Sequence, residues 1–129
     1  MTEIADGHFE QQSPIDAYGN GGFRFAEMSH VGSLLCLPTG MHKWHGVTSF
    51  QYVANNLDQI WQSADDIDVF LLGTGDDIVF VDEDIRQQFR DRKIILEPMS
   101  TGAAVRTYNI LLGEKRAVAA GLISVERAK

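Results

Sequence analysis

Ile67-Asp68-Val69-Phe70-Leu71-Leu72-Gly73-Thr74-Gly75 is the stretch on which the fold turns. A short apolar run with β-branched and aromatic residues, stopped by Gly-Thr-Gly, reads as a strand buried on both faces. Such a strand needs apolar cover above and below, and its neighbours in sequence must supply it.

Upstream, Phe50, Val53, Ala54, Leu57, Ile60 and Trp61 recur at i, i+3, i+4, i+7, i+10 and i+11. That single stripe predicts a helix over 50–61. Thr48, with Gln51 three residues on, matches a capping box. Downstream, Asp82, Glu83 and Asp84 open a short helix that carries Ile85 and Phe89. Acids at its start and Arg90 and Arg92 near its end suit the helix dipole. Ile94-Ile95-Leu96 predicts a second apolar strand, closed by Pro98. Ser100 or Thr101 caps a third helix, with Ala104, Tyr108 and Leu111 on one side, widened by Val105 and Leu112. Ala117 to Val125 is a last strand, with Gly121 inside it. Strands alternating with helices predict an α/β fold, its parallel or mixed sheet covered by helices.

The first half reads differently. Ile15 to Tyr18, the turn Gly19-Asn20-Gly21-Gly22 and the alternating Phe23-Arg24-Phe25 predict a hairpin. Val31 to Leu37 is apolar and ends at Pro38-Thr39-Gly40, and Met41 to Val47 predicts a further short strand anchored by Trp44. This half therefore adds an N-terminal, strand-rich hairpin layer. Residues 1–13 are polar and aperiodic, and are expected to form a flexible tail before a single α/β domain over 14–127.

The chain has 129 residues, enough to bury a core. A net charge of −7 argues against nucleic acid, whose phosphates are bound through Lys and Arg. It also disfavours an anionic membrane surface. The single cysteine, Cys36, excludes an internal disulfide and fits a reducing compartment. Met1 to Ser13 has no Lys or Arg and carries Glu3, Asp6 and Glu10, unlike a secretory signal or transit peptide. No apolar run approaches the ~20 residues of a spanning helix. The expected location is cytoplasmic, of bacterial type, with no membrane insertion.

Two chain turns are candidate sites. Gly73-Thr74-Gly75 follows a buried strand, at the end of an α/β sheet where ligands bind. Asp76 and Asp77 beside it would repel a phosphate. Ser100-Thr101-Gly102 opens a helix whose free N–H groups make an anion seat, with Arg106 one turn in. If the two turns adjoin, Gly73, Thr74, Gly75, Ser100, Thr101, Gly102 and Arg106 form a small-molecule or anion site. His42 and His45 face opposite sides of a strand and would diverge, so no metal site is expected there. Cys36, inside an apolar strand, is expected to be an inert packing thiol. Asp65, Asp66 and Asp68 lack the spacing of a calcium loop. No catalytic constellation and no cofactor motif emerges.

One ordered set of short motifs runs through the chain: Ile15-Asp16-Ala17-Tyr18 and Phe23, then Trp44 after Pro38, then Gly73-Thr74-Gly75 and a helix, then Ile94-Ile95-Leu96-Glu97, then Ser100 to Leu111. Together they resemble the family of mitochondrial respiratory complex I assembly factor three and its uncharacterised bacterial and archaeal relatives. The likeness runs from about Ile15 to Val125. It implies a three-layer α/β fold with a central mixed sheet, and no catalytic residues. It implies a non-enzymatic interaction protein, an assembly factor for respiratory complex I, with partners among respiratory-complex subunits or other assembly proteins. The alternative is a small-molecule or anion-binding protein, or an enzyme, using the site between the two turns. A homodimer is a third expectation for a small α/β domain with open strand edges.

Overall fold

The computed structural model describes residues 2–3 and 8–128. A six-stranded sheet is its centre, in the order β2-β7-β6-β10-β8-β9. These strands are β2 (His8–Phe9), β6 (Leu34–Leu37), β7 (Gly40–Lys43), β8 (Val69–Gly73), β9 (Ile95–Met99) and β10 (Val118–Leu122). β8 pairs in parallel with both β10 and β9, whereas β6 runs antiparallel to β10 and β7. The sheet is mixed, as expected. A second sheet is ordered β1-β5-β4-β3, from β1 (Thr2–Glu3), β3 (Ala17–Gly19), β4 (Gly22–Phe25) and β5 (Met28–Val31). The expected hairpin is present there, with Gly19 opposite Gly22 across the turn.

The period-two alternation of side chains along a strand divides the core into two layers. Leu35, Leu37, Phe70, Leu72 and Ala119 face one way, toward Val53, Leu57, Ile60, Ile85 and Phe89. Leu34, Cys36, Leu71, Val118, Ala120 and Leu122 face the other. Phe23 and Phe25 of the small sheet meet them there, with Ala104, Val105 and Tyr108 of helix α3 (Thr101–Gly113). The fold is a three-layer α/β arrangement with the strand-rich N-terminal part in one outer layer.

Gly121 shows how close the layers lie. A Cβ there would fall 2.6 Å from Trp44 Cζ3 and 2.8 Å from Phe70 Cζ. The Trp44 ring needs that space, and its Nε1 donates to Asn56 O at 2.9 Å.

Four local expectations need correction. First, residues 50–61 are not one helix. Phe50–Asn55 is a 3-10 segment, and only Asp58–Trp61, α1, is α-helical. At the break Asn56 has φ −135° and ψ 44°, and its N–H bonds Val53 O, three residues back. The expected capping box is absent, since Ser49 is the N-cap and makes no side-chain cap bond. Val53, Leu57 and Ile60 still lie inward with Phe50 and Trp61 packed against them, because i, i+3 spacing serves a 3-10 turn as well as an α-turn, whereas Ala54 is exposed. Second, Val31 to Leu37 is two strands. The chain passes from the small sheet to the large one at Gly32, whose φ is +94°. Third, the strand expected to close at Pro98 runs on to Met99 as β9, at the edge of the sheet, with Ile95 60% exposed. Fourth, the expected tail is built in wherever it is described. β2 pairs with β7, and the buried Tyr108 hydroxyl donates to Ser13 O at 2.7 Å. Met1 and residues 4–7 lie outside the described residues.

Helix α2 (Glu83–Asp91) begins at Asp82, whose carboxylate accepts from Ile85 N–H at 3.1 Å. Phe89 meets Trp61 edge-on at 4.8 Å, and the Arg92 guanidinium covers the Trp61 ring at 4.0 Å.

The close approach at Gly121 predicts that Gly121→Ala destabilises the fold by about 1–3 kcal/mol through overpacking. Chemical denaturation should show a lowered midpoint, and Trp fluorescence should report a displaced Trp44. An unchanged midpoint would mean that the layers are not in contact there.

Candidate functional site

The two candidate turns adjoin. In the parallel ladder Gly73 stands opposite Met99, so β8 and β9 end together and Ser100 caps α3 just beyond. Thr74 N–H donates to Met99 O at 2.9 Å, and Thr101 N–H to Gly75 O at 2.8 Å. The Thr101 hydroxyl donates to Ile123 O at 2.7 Å and accepts from Gly75 N–H at 3.0 Å. It therefore ties the ends of β8 and β10 to the start of α3. Gly73 makes this possible, since a Cβ there would lie 3.0 Å from Thr101 Cα.

These bonds occupy most of the groups that a ligand would need. Thr101 N–H is bound to Gly75, and Ala103 N–H donates to Ser100 Oγ at 3.3 Å. Of the first three helical N–H groups, this leaves that of Gly102. Thr74 and Thr101 are buried. Thr74 Oγ1 lies 2.7 Å from Asp77 O and accepts from Val79 N–H at 3.1 Å, which shapes the next loop.

The cleft between the turns has a volume of about 10 Å³ and is lined by Gly75, Asp76, Ser100, Gly102, Tyr18 and Arg127, with Val125 behind. That is room for about one water. Gly75, Ser100 and Gly102 reach it, whereas Gly73, Thr74 and Thr101 stand behind it. Arg106 is exposed and does not line it. The cation at the cleft is Arg127, which sequence reasoning missed. No motif marks it, and it arrives there only because the chain leaves β10 beside the cleft. Asp76 lines the same cleft.

The remaining candidates are separate. His42 stacks on His8, with ring centroids 4.3 Å apart and planes at 8°. Burial first, and then the neighbouring His8, hold the His42 imidazole down to about 4. His45 is exposed, away from that stack. Among the described residues no three His, Cys, Asp or Glu side chains gather where a metal could be held. Cys36 is fully buried, and burial raises its thiol far above the ordinary range, which disfavours the reactive thiolate.

A different surface is more open. Phe80 is 84% exposed and Ile78 66%. Both stand on the loop that Thr74 shapes, and beside it a groove of about 430 Å³ runs between α2 and β9. Sequence reading assigned nothing to 78–81, because a short apolar run there carries no sign of exposure.

Comparison with known proteins places these features in context. A family model described as a protein of unknown function (DUF498/DUF598) matches residues 15–123. An uncharacterised protein of Rhodobacter capsulatus is 35% identical over 115 residues, covering 89% of this chain and 87% of that protein. NADH dehydrogenase (ubiquinone) 1 alpha subcomplex assembly factor 3 of Mus musculus is 26% identical over 120 residues, covering 93% of this chain. The matched part is 65% of that factor's length. Among solved structures, a Bartonella henselae protein described as an outer membrane protein superposes with a TM-score of 0.83 at 46% identity. That match covers 92% of this chain and all of the other. Among the described residues, no helix is long and apolar enough to cross a membrane.

The corner predicts a division between its residues. Thr101→Val leaves Ile123 O and Gly75 N–H unpaired, and should cost about 1–3 kcal/mol of stability. Arg106→Ala, at an exposed position, should change stability by less than about 0.5 kcal/mol. Urea denaturation of the two variants checks both. Equal effects would remove the structural role assigned to the Thr101 hydroxyl.

Proposed function

This chain belongs to the family described as proteins of unknown function (DUF498/DUF598), and we propose that it is a non-enzymatic interaction protein assisting assembly of a respiratory NADH dehydrogenase complex. The supporting observation is the similarity to assembly factor 3 proteins, which spans 93% of this chain for the mouse protein and 84% for the human one. The human match covers 59% of that protein's length, so the likeness reaches only part of the factor. In this reading residues 14–127 are the working domain. The partners are subunits of the complex or other assembly proteins, met from the cytoplasmic side.

Deleting the gene should reduce assembled complex on native gels and NADH-oxidising activity in membranes, with both restored by the intact chain. Fully assembled, fully active complex in the deletion strain contradicts the proposal. Cell fractionation provides a second check. The chain should appear in the soluble fraction, or on the inner membrane in a form that salt removes. Salt-resistant recovery with the outer membrane would instead align it with the description of its Bartonella relative.

The ligand-binding alternative has one observation in its favour, the meeting of Gly75, Ser100 and Gly102 at one cleft. The room for about one water and the presence of Asp76 weigh against it. A thermal-shift screen with phosphate, sulfate and nucleotides should leave the unfolding midpoint unmoved. A rise that disappears in Arg127→Ala would establish a ligand site there.

A further inference from the structure

We propose that the free edge of the large sheet at β9, together with the Phe80 loop, docks an extended acidic and apolar segment of a partner protein; this rests on the interaction-protein reading above. Arg86 makes the surface continuous. Its guanidinium carbon lies 5.8 Å from the centre of the Phe80 ring, and its Nε donates to Val81 O at 2.9 Å. The same side chain lines the groove with Lys93, Ile95 and Leu96. Phe80, 84% exposed, and the half-buried Leu96, which faces the α2 side of the sheet, thus present apolar surface beside one guanidinium. Exposed apolar surface gathered beside polar groups, rather than scattered singly, is the usual mark of an interaction site.

Charge identifies the occupant. The chain carries −7, yet this groove is lined by Arg86, Arg90 and Lys93. Arg90 is committed to Glu83 and Gln87 on its own helix. Arg86 and Lys93 form no ion pair with a carboxylate among the described residues. Two cations without a carboxylate partner, beside apolar surface, select a partner with carboxylates at matching positions. They are too few to hold a nucleic acid, which binds through many phosphate contacts.

The backbone sets how such a segment lies. Ile95 N–H bonds Asp68 O, and Met99 O accepts from Thr74 N–H, both at 2.9 Å. In a parallel ladder this turns the polar groups of Ile95, Glu97 and Met99 toward β8, and those of Leu96 and Pro98 outward. Proline has no N–H, so Leu96 supplies the one outward donor of the strand. A short extended segment can anchor on Leu96, but a full strand cannot zip along the edge. Pro98 thereby also guards against edge-to-edge stacking of copies of the chain. Selectivity falls to the side chains, with apolar residues against Phe80 and Leu96 and carboxylates at Arg86 and Lys93.

The test uses the full chain and a labelled synthetic peptide of roughly eight residues, alternating Glu with Val and Leu, a typical strand length. A matching peptide with Lys for Glu and vesicles containing phosphatidylserine serve as comparisons. Fluorescence anisotropy should show binding of the acidic peptide alone, weakened by added salt. Affinity should drop about tenfold or more in Lys93→Glu and in Phe80→Ser, which alter exposed side chains and should leave the thermal midpoint unchanged. Equal binding of the Lys peptide, undiminished binding by both variants, or binding of vesicles without the acidic peptide would each overturn the proposal.

The same variants are then returned to the deletion strain. If the intact chain and both variants restore the NADH dehydrogenase equally, the docking surface is wrong while the assembly reading stands. If deletion causes no defect, the assembly reading fails, and the peptide measurement still decides the surface.

Discussion

The structure depends on one constraint, the burial of β8 and β10 on both faces and along both edges. In their parallel pairing, with Gly121 opposite Leu72, every residue of the two strands is buried except the half-buried Val69. Every other element is cover for that pair. α2 and the segments around Val53 and Ile60 close one face, while α3 and the small sheet close the other. β6 and β9 close the edges. A single hydroxyl, that of Thr101, fastens the cover at one end by bonding Gly75 and Ile123 together. The turns that look most like a ligand site from the sequence are, in the folded chain, largely a fastening.

Much of this was legible in the sequence, for reasons that separate by residue. The strand expected over 67–72 forms at Val69–Gly73, and it declared itself because full burial demands an unbroken apolar run such as Val69 to Leu72. α2 and α3 declared themselves through the caps at Asp82 and Ser100, which bind backbone N–H groups as their side-chain chemistry requires. The helix expected over 50–61 was misread because an apolar stripe reports which side is buried and not the pitch of the turn. Asn56, whose carbonyl is taken by Trp44, breaks that segment, and a bond across twelve residues leaves no local mark. The N-terminal residues looked like a tail because they are polar. Their attachment runs through backbone groups such as Ser13 O, which composition cannot show.

The candidate site was less legible than the fold. Local pattern placed Gly73–Gly75 and Ser100–Gly102 at strand ends, and parallel pairing brings them together. It could not show that their donors and acceptors are spent on one another, nor that Arg127 rather than Arg106 stands at the cleft. The exposed surface was hidden for the converse reason. Ile95 sits in an Ile-Ile-Leu run that reads as core, and only the strand order, which puts β9 last, turns it toward water. An edge is a property of topology. Lys93 and Arg86 gather there because α2 descends onto the same edge, so cations from a helix and apolar residues from a strand share one groove on an acidic protein.

On the proposed reading, the β9 edge and the Phe80 loop meet partners, and the corner at Gly75 and Thr101 serves stability. Amide hydrogen exchange of the full chain, with and without the Glu-rich apolar peptide, separates these roles most directly. The predicted result is slowed exchange at 78–81 and at the outward amide of Leu96, with no change at 73–76 or 100–104. Protection confined to the corner, with the β9 edge exchanging as before, would contradict the account.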